Sequence, residues 1–151
     1  AGEIAKLLFL VAFVQGGFAL LSYNLFTEDV QRDLNLFRQM ISEAPLWVAF
    51  IALVIGAPAS EEILFRGYLM NQLSQTRLGF GGAAIASTLG WPLLHFGYST
   101  IGLIEVFLAG LLFSWVLWKT GSIWVPIAFH ALYNAIVLAI IVSSMPSNLP
   151  G

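Results

Sequence analysis

The sequence has no cysteine and few charged residues: six lysines and arginines and eight aspartates and glutamates among 151 residues. The absence of cysteine excludes disulfide bonds and thiolate metal sites. The charged fraction is 9%, against about 25% in ordinary soluble domains, whereas 59% of the residues are hydrophobic. Fourteen charged side chains cannot cover the surface of a soluble domain of this length. The composition therefore predicts an integral membrane protein. No basic patch is present, and we expect the lipid bilayer rather than nucleic acid as a partner.

Five apolar segments are predicted to cross the membrane as helices. They cover residues 7–26, 45–74, 83–96, 101–118 and 123–143. The predicted fold class is therefore all-α, a polytopic membrane helix bundle that forms a single transmembrane domain over residues 1–151. Because residue 1 is alanine rather than methionine, we expect the sequence to be an excerpt or a processed product.

Residues 27–43 differ from the rest of the chain, because they carry six charges and one apolar stripe. The stripe has helical spacing. Its members are Val30, Leu34, Phe37 and Ile41. This pattern predicts a short amphipathic helix that lies at the membrane interface. The alternative is a solvated connector between two membrane helices.

Three ionisable residues, Glu61, Glu62 and Arg66, lie within the longest apolar segment. An ion buried in apolar surroundings costs several kcal/mol unless a partner is supplied, which indicates a site. Glu62 and Arg66 are spaced for an ion pair on one helix face. Glu61 points about 100° away, has no local partner and suits proton transfer. The alternative is a purely structural cluster. Glu105, in the fourth segment, is expected to reach the membrane interface instead.

The only two histidines, His95 and His130, both lie in predicted membrane helices. Each follows a proline by three or four residues, as Glu61 follows Pro58. Proline frees a backbone carbonyl and is expected to kink or divide a helix, which is tolerated where the helix lines a cavity. Three such interruptions predict one shared cavity. Asn134 lies one turn after His130 on the same face, so both can donate hydrogen bonds there.

Three short motifs follow one another along these segments. They are Glu61-Glu62-x-x-x-Arg66, Trp91-x-x-x-His95 and His130-x-x-x-Asn134. In this order they resemble the motifs of the CPBP (Abi) family, and the similarity extends over residues 45–143, a CPBP-like catalytic core. The family comprises CAAX prenyl endopeptidases of the Ras-converting type and bacterial bacteriocin-processing or self-immunity proteins. Trp91 stands where the family usually has phenylalanine, so the aromatic character of that position is kept.

The resemblance implies an intramembrane endopeptidase. By analogy, Glu61 and His95 would hold and activate the attacking water. His130 and Asn134 would stabilise the oxyanion on the scissile carbonyl, which fits donors aimed at developing charge. The residues implied to support this arrangement are Glu62, Arg66 and Trp91.

Metal dependence is a separate question, because one glutamate and two histidines are a donor set that zinc accepts. Members of the family are often labelled metalloproteases, and a divalent metal such as zinc would be held by Glu61, His95 and His130. However, no His-Glu-x-x-His pair is present, and Glu61 cannot easily be both ligand and sole base. We therefore favour a metal-free reaction with glutamate-activated water over a metal-dependent one.

The leading hypothesis is a membrane protease that cleaves a peptide or protein substrate, prenylated or not, near the bilayer surface. The alternative is a non-catalytic CPBP-fold scaffold or a bacteriocin self-immunity protein. A small transporter or channel is a third hypothesis, motivated only by polar residues near helix breaks. The lack of an internal repeat weighs against it.

Overall fold

The computed structural model describes residues 2–145, which form six helices and no β-strand. In chain order the helices are α1 (Gly2–Leu25), α2 (Thr27–Ser42), α3 (Leu46–Ser74), α4 (Gly79–Gly90), α5 (Thr100–Thr120) and α6 (Trp124–Ser143). A single 3₁₀ turn, Trp91–His95, joins α4 to the loop before α5. The prediction of an all-α polytopic bundle is confirmed.

Four of the helices, α1, α3, α5 and α6, are long and apolar enough to cross a membrane. The segment predicted as the third span, residues 83–96, differs from the prediction. Its α-helix has 12 residues and ends at Gly90, which is shorter than the hydrocarbon core requires. Pro92 lies in the 3₁₀ turn that follows. The α-helix ends before it because a residue without an N–H cannot continue the α-helical hydrogen bonds. The described residues thus contain four long helices that can span a membrane and two shorter ones, α2 and α4.

The amphipathic segment 27–43 forms a helix, α2, as predicted. Its apolar stripe faces protein: Ile41 is buried in a cluster with residues of α3 and α6, and Leu34 and Phe37 pack against that cluster. Charged residues such as Glu28 and Arg32 are exposed, so α2 has one apolar face and one polar face. The location of α2 at a membrane interface stays a prediction.

α3 is wound more widely on both sides of Pro58. The two π-helical segments are Ile51–Gly56 and Ile63–Leu69. At the end of the first one, the Ala57 N–H bonds to the Ala52 carbonyl, five residues back. In that register the Leu53 carbonyl faces Pro58, which has no N–H to offer. Pro58 therefore leaves a carbonyl unpaired, but α3 is not divided and runs through 29 residues.

Pro126 does not interrupt its helix. It lies in the first turn of α6, where a backbone N–H has no helical partner in any case. The prediction that proline interrupts three helices is therefore wrong for α6. In α3 the α-helical winding is interrupted by π-helical segments, and α4 ends before Pro92.

Candidate active site

The predicted site residues line one cavity of about 420 Å³, enclosed by α1, α2, α3, α5, α6 and the 3₁₀ turn. The residues from the three motifs that line it are Glu61, Trp91, His95, His130 and Asn134. Glu62 and Arg66 are fully buried behind this wall. The shared cavity expected from the proline pattern is therefore present, and each side chain in it has a specific partner.

Glu61 has no partner on its own helix, as expected from its helix face, and its partner comes from the 3₁₀ turn. Its Oε2 accepts a hydrogen bond of 2.6 Å from the indole N–H of Trp91. Trp91 is buried, with 2% of its surface exposed, so this bond forms away from bulk water. A hydrogen bond to a carboxylate is about twice as strong as one between neutral groups. Trp91 thus orients one carboxylate oxygen of Glu61, and the other makes no hydrogen bond within residues 2–145.

Glu62 joins two helices through one oxygen atom. Its Oε1 lies 3.2 Å from Arg66 Nη1 and 3.1 Å from His130 Nδ1. The predicted ion pair between Glu62 and Arg66 is present, and the contact with His130 is one that the sequence did not indicate. Because a carboxylate only accepts, Nδ1 of His130 carries a proton and its Nε2 is free for another partner. The imidazole also stacks on Phe113, with 5.1 Å between ring centroids.

Arg66 is held on several sides. Its guanidinium carbon lies 4.3 Å above the ring centroid of Trp91, which is the geometry of a cation–π contact. On another side is the backbone of α5 at Gly110, where a Cβ atom would stand 2.7 Å from Nη2 of Arg66 and 2.5 Å from Thr88 Cγ2. Only glycine lets α5 approach so closely. Arg66 therefore contacts both Glu62, through the ion pair, and Trp91, whose indole binds Glu61.

His95 ends the 3₁₀ turn and contacts the same tryptophan. Its Nδ1 is 3.3 Å from the backbone carbonyl of Trp91, and its ring lies edge-on to the rings of Trp91 and Tyr98. Burial, with the neighbouring carboxylates of Glu61 and other acidic residues, raises the pKa of the Tyr98 phenol, so it stays protonated. With Nδ1 at a carbonyl, Nε2 of His95 is directed away from Trp91.

Asn134 bonds to the carbonyl that Pro58 leaves unpaired. Its Nδ2 donates to the Leu53 carbonyl at 2.8 Å. One of its two amide N–H groups is therefore occupied by backbone, and the second remains for the cavity. Sequence spacing predicted that Asn134 and His130 share a face, and both do line the cavity. It did not indicate that the asparagine is tied to α3.

Glu105 lies in the cavity wall, and its position relative to a membrane interface stays a prediction. Its Oε1 accepts a hydrogen bond of 2.7 Å from the hydroxyl of Tyr133 in α6. The one signal for this in the sequence is that Glu105 is the only acidic residue of α5.

Asp33 is a further residue that sequence analysis did not single out. Its two oxygens accept hydrogen bonds from the backbone N–H and the hydroxyl of Ser99, at 2.7 Å and 2.6 Å. The Ser99 hydroxyl in turn accepts the N–H of Gly102 and caps α5. In addition, Phe37 of α2 packs edge-on against Tyr98. The amphipathic helix therefore holds the loop that follows His95.

The arrangement does not fit a zinc site. Among residues 2–145, no three His, Asp or Glu side chains are grouped so that they could hold a metal ion. A tetrahedral site needs its donors about 2.0 to 2.2 Å from a common centre. We therefore derive no step of the reaction through a metal.

The chain matches the family model described as Rce1-like, type II CAAX prenyl endopeptidase, over residues 43–136. No curated protein and no solved structure matches it. The matched range is more than half of the chain and contains α3, α4, α5 and the part of α6 that carries His130 and Asn134. Together with the four long apolar helices, the match identifies an integral, multi-pass membrane protein. The chain belongs to the Rce1-like family of type II CAAX prenyl endopeptidases.

Proposed function

We propose that the cavity is the active site of an intramembrane endopeptidase in which Glu61 and His95 activate a water molecule. One observation carries the proposal: Trp91 contacts both side chains, through its indole N–H and through its backbone carbonyl. Both groups are thereby oriented in the wall of a cavity large enough for a peptide segment. Membership of a family of endopeptidases supports the same activity.

Glu61 is the base in this reaction. Because Trp91 occupies Oε2, Oε1 takes a proton from the water while the water oxygen attacks the carbonyl carbon of the substrate. Nε2 of His95 holds the same water, since Nδ1 faces a backbone carbonyl. The attack forms a new C–O bond and moves an electron pair onto the carbonyl oxygen.

His130 and Asn134 stabilise this oxyanion. The Nε2–H of a protonated His130 and the second N–H of Asn134 are the donors, because their other donors are bonded to Glu62 and Leu53. The carboxylate of Glu62 accepts the Nδ1–H of His130 and thereby fixes the orientation of the imidazole. When the C–N bond breaks, the leaving amine takes the proton held by Glu61. The products are a carboxylic acid and an amine.

The proposed substrate is a peptide that ends in a prenylated Cys-aliphatic-aliphatic-X segment, the class named in the family description. Apolar side chains make up more than half of the residues lining the cavity, which supports an apolar substrate segment. The lining is also interrupted by the polar groups that the reaction needs, as is usual for ligand sites.

The test uses the full chain in proteoliposomes and an internally quenched peptide ending in a farnesylated Cys-Val-Ile-Met, with the unprenylated peptide for comparison. We expect cleavage of the farnesylated peptide and a loss of about 10²- to 10⁴-fold in kcat for Glu61→Gln, the range for one acid–base group. Glu43→Gln, at an exposed position, is the matched control and should keep full activity. Full activity of Glu61→Gln would overturn the mechanism. Failure to cleave the farnesylated peptide would overturn the proposed substrate.

A further inference from the structure

Two polar residues meet at the wall between α1 and α5, away from the three motifs. Gln15 of α1 and Glu105 of α5 line the main cavity, and both also line a second, smaller cavity of about 290 Å³. The other residues of the second cavity are apolar: Val14, Phe18, Leu108, Ala109, Leu111, Leu112 and Trp115. Gln15 and Glu105 therefore form the polar boundary between the two cavities.

Gln15 has an unused hydrogen-bond donor. The residue is buried, with 8% of its surface exposed, and its Nε2 has no partner among residues 2–145. An unpaired buried donor costs about 1 to 3 kcal/mol, so such groups are rare in folded proteins. A ligand that brings an acceptor to the cavity would satisfy it.

Glu105 offers a hydrogen-bond acceptor, which complements the donor of Gln15. The Tyr133 hydroxyl bonds to Oε1 and so fixes the orientation of the carboxylate. An ionised carboxylate has about four acceptor positions, and within the described chain this is the only hydrogen bond that the Glu105 side chain makes. It therefore has acceptor capacity left for a donor on a ligand.

The chemistry of this pair selects one class of ligand. An anion would suit the Gln15 amide but would be repelled by Glu105. A cation would suit Glu105 but would leave the Gln15 donor unpaired. A hydrocarbon chain would satisfy neither group. A peptide unit carries an acceptor and a donor next to each other, and in apolar surroundings both must be paired.

We propose that Gln15 and Glu105 form a subsite for the main chain of the substrate, in which Gln15 donates to a peptide carbonyl and Glu105 accepts a peptide N–H. The inference rests on the proposed function and adds a second point of attachment, on α1 and α5, to the reacting groups of α3, the turn and α6. The attachment does not depend on the side chains of the substrate. It fixes the direction of the peptide in the cavity.

The test is a backbone ester scan of the farnesylated peptide. Replacing one amide at a time by an ester removes that N–H and weakens the adjoining carbonyl acceptor while keeping the length of the chain. For the protein with its natural sequence, we expect KM to rise about tenfold at one position, as for loss of one buried hydrogen bond, with little change in kcat. Gln15→Leu should raise KM for the all-amide peptide to a similar extent.

A double-mutant cycle distinguishes a direct bond to the peptide from a structural role of the side chain. In Glu105→Leu, the sensitive ester should cause little further increase in KM, because the bond from the peptide N–H is already missing. Glu105→Gln keeps a carbonyl acceptor and should retain part of the affinity that Glu105→Leu loses. Gln72→Leu, at an exposed position of α3, is the matched control and should respond to the ester as the natural sequence does.

Several outcomes would overturn the inference and leave the proposed function intact. One is a KM that is unaffected by an ester at every position. Another is a KM increase in Glu105→Leu that is the same for amide and ester peptides, which indicates a structural role. If no peptide is cleaved, the proposed function fails. In that case, fluorescence anisotropy can compare the binding of labelled amide and ester peptides to Glu61→Gln. Equal binding of amide and ester peptides would then overturn the subsite.

Discussion

The indole N–H of Trp91 donates a hydrogen bond of 2.6 Å to Oε2 of Glu61. The same side chain lies under the Arg66 guanidinium, and its backbone carbonyl faces His95. A phenylalanine at this position could pack in the same place but has no N–H to donate. In this chain, therefore, the aromatic residue of the second motif also orients the proposed base.

Trp91→Phe tests this role. We expect kcat for the farnesylated peptide to fall about tenfold while KM changes little, because an oriented carboxylate loses one charge-assisted hydrogen bond. Trp118→Phe, at an exposed aromatic residue of α5, is the control and should have unchanged kinetics. A Trp91→Phe variant with normal kcat would show that the bond does not position Glu61.

Gly110→Ala tests the close contact of α5 with the buried arginine. The added Cβ would overlap with Thr88 and Arg66, so neighbouring groups must shift at a cost of about 1 to 3 kcal/mol in the free energy of unfolding. The apparent Tm in detergent should fall, and activity should fall with it because Arg66 moves. Gly16→Ala, where nothing lies within 4 Å of the added atom, should keep or raise the Tm. Equal behaviour of the two variants would contradict the proposed packing.

Asp33→Ala tests the attachment of α2 to the loop after His95. The change removes two hydrogen bonds from a carboxylate to Ser99, and bonds to charged groups contribute about 1.5 to 3 kcal/mol each. We expect faster amide hydrogen exchange in α2 and at the start of α5, together with a lower kcat. Asp29→Ala changes the same kind of residue on the same helix and should affect neither. Unchanged exchange in α2 after Asp33→Ala would count against this attachment.

The buried pair of Glu62 and Arg66 gives a prediction about combined changes. Arg66→Met alone removes the guanidinium that pairs with the buried Glu62 and should lower the free energy of unfolding by about 3 to 5 kcal/mol. Glu62→Gln added to Arg66→Met removes that charge but keeps an acceptor for His130, so the double variant should be more stable than Arg66→Met. Denaturant unfolding in detergent micelles measures both. A double variant less stable than Arg66→Met would contradict the assignment of a charged pair.

Local geometry explains what could be predicted from the sequence. The spacing of Glu62 and Arg66 along one helix fixes their separation, so their ion pair follows from helical geometry alone. The apolar stripe of α2 predicts a helix for the same reason. The length of α4 was overestimated, because hydropathy alone does not show where Pro92 ends the α-helix.

Contacts between helices could not be predicted in the same way. The partners of Glu61, Asn134 and Asp33 are residues 30, 81 and 66 positions away along the chain. Such pairings depend on how each helix is rotated and how deep it sits, which packing decides. Sequence spacing therefore identified the members of the candidate site without showing which of them bond to each other.

Pro58 illustrates how such packing can be specified. By withholding an N–H, it leaves the Leu53 carbonyl exposed on the surface of α3, and the amide of Asn134 binds there from α6. The carbonyl that one helix leaves unpaired thus accepts a hydrogen bond from a side chain of another, and this bond connects α6 to α3. Positions 58 and 134 are consequently coupled in this protein: a substitution that restores the N–H at 58 would compete with Asn134 for the Leu53 carbonyl.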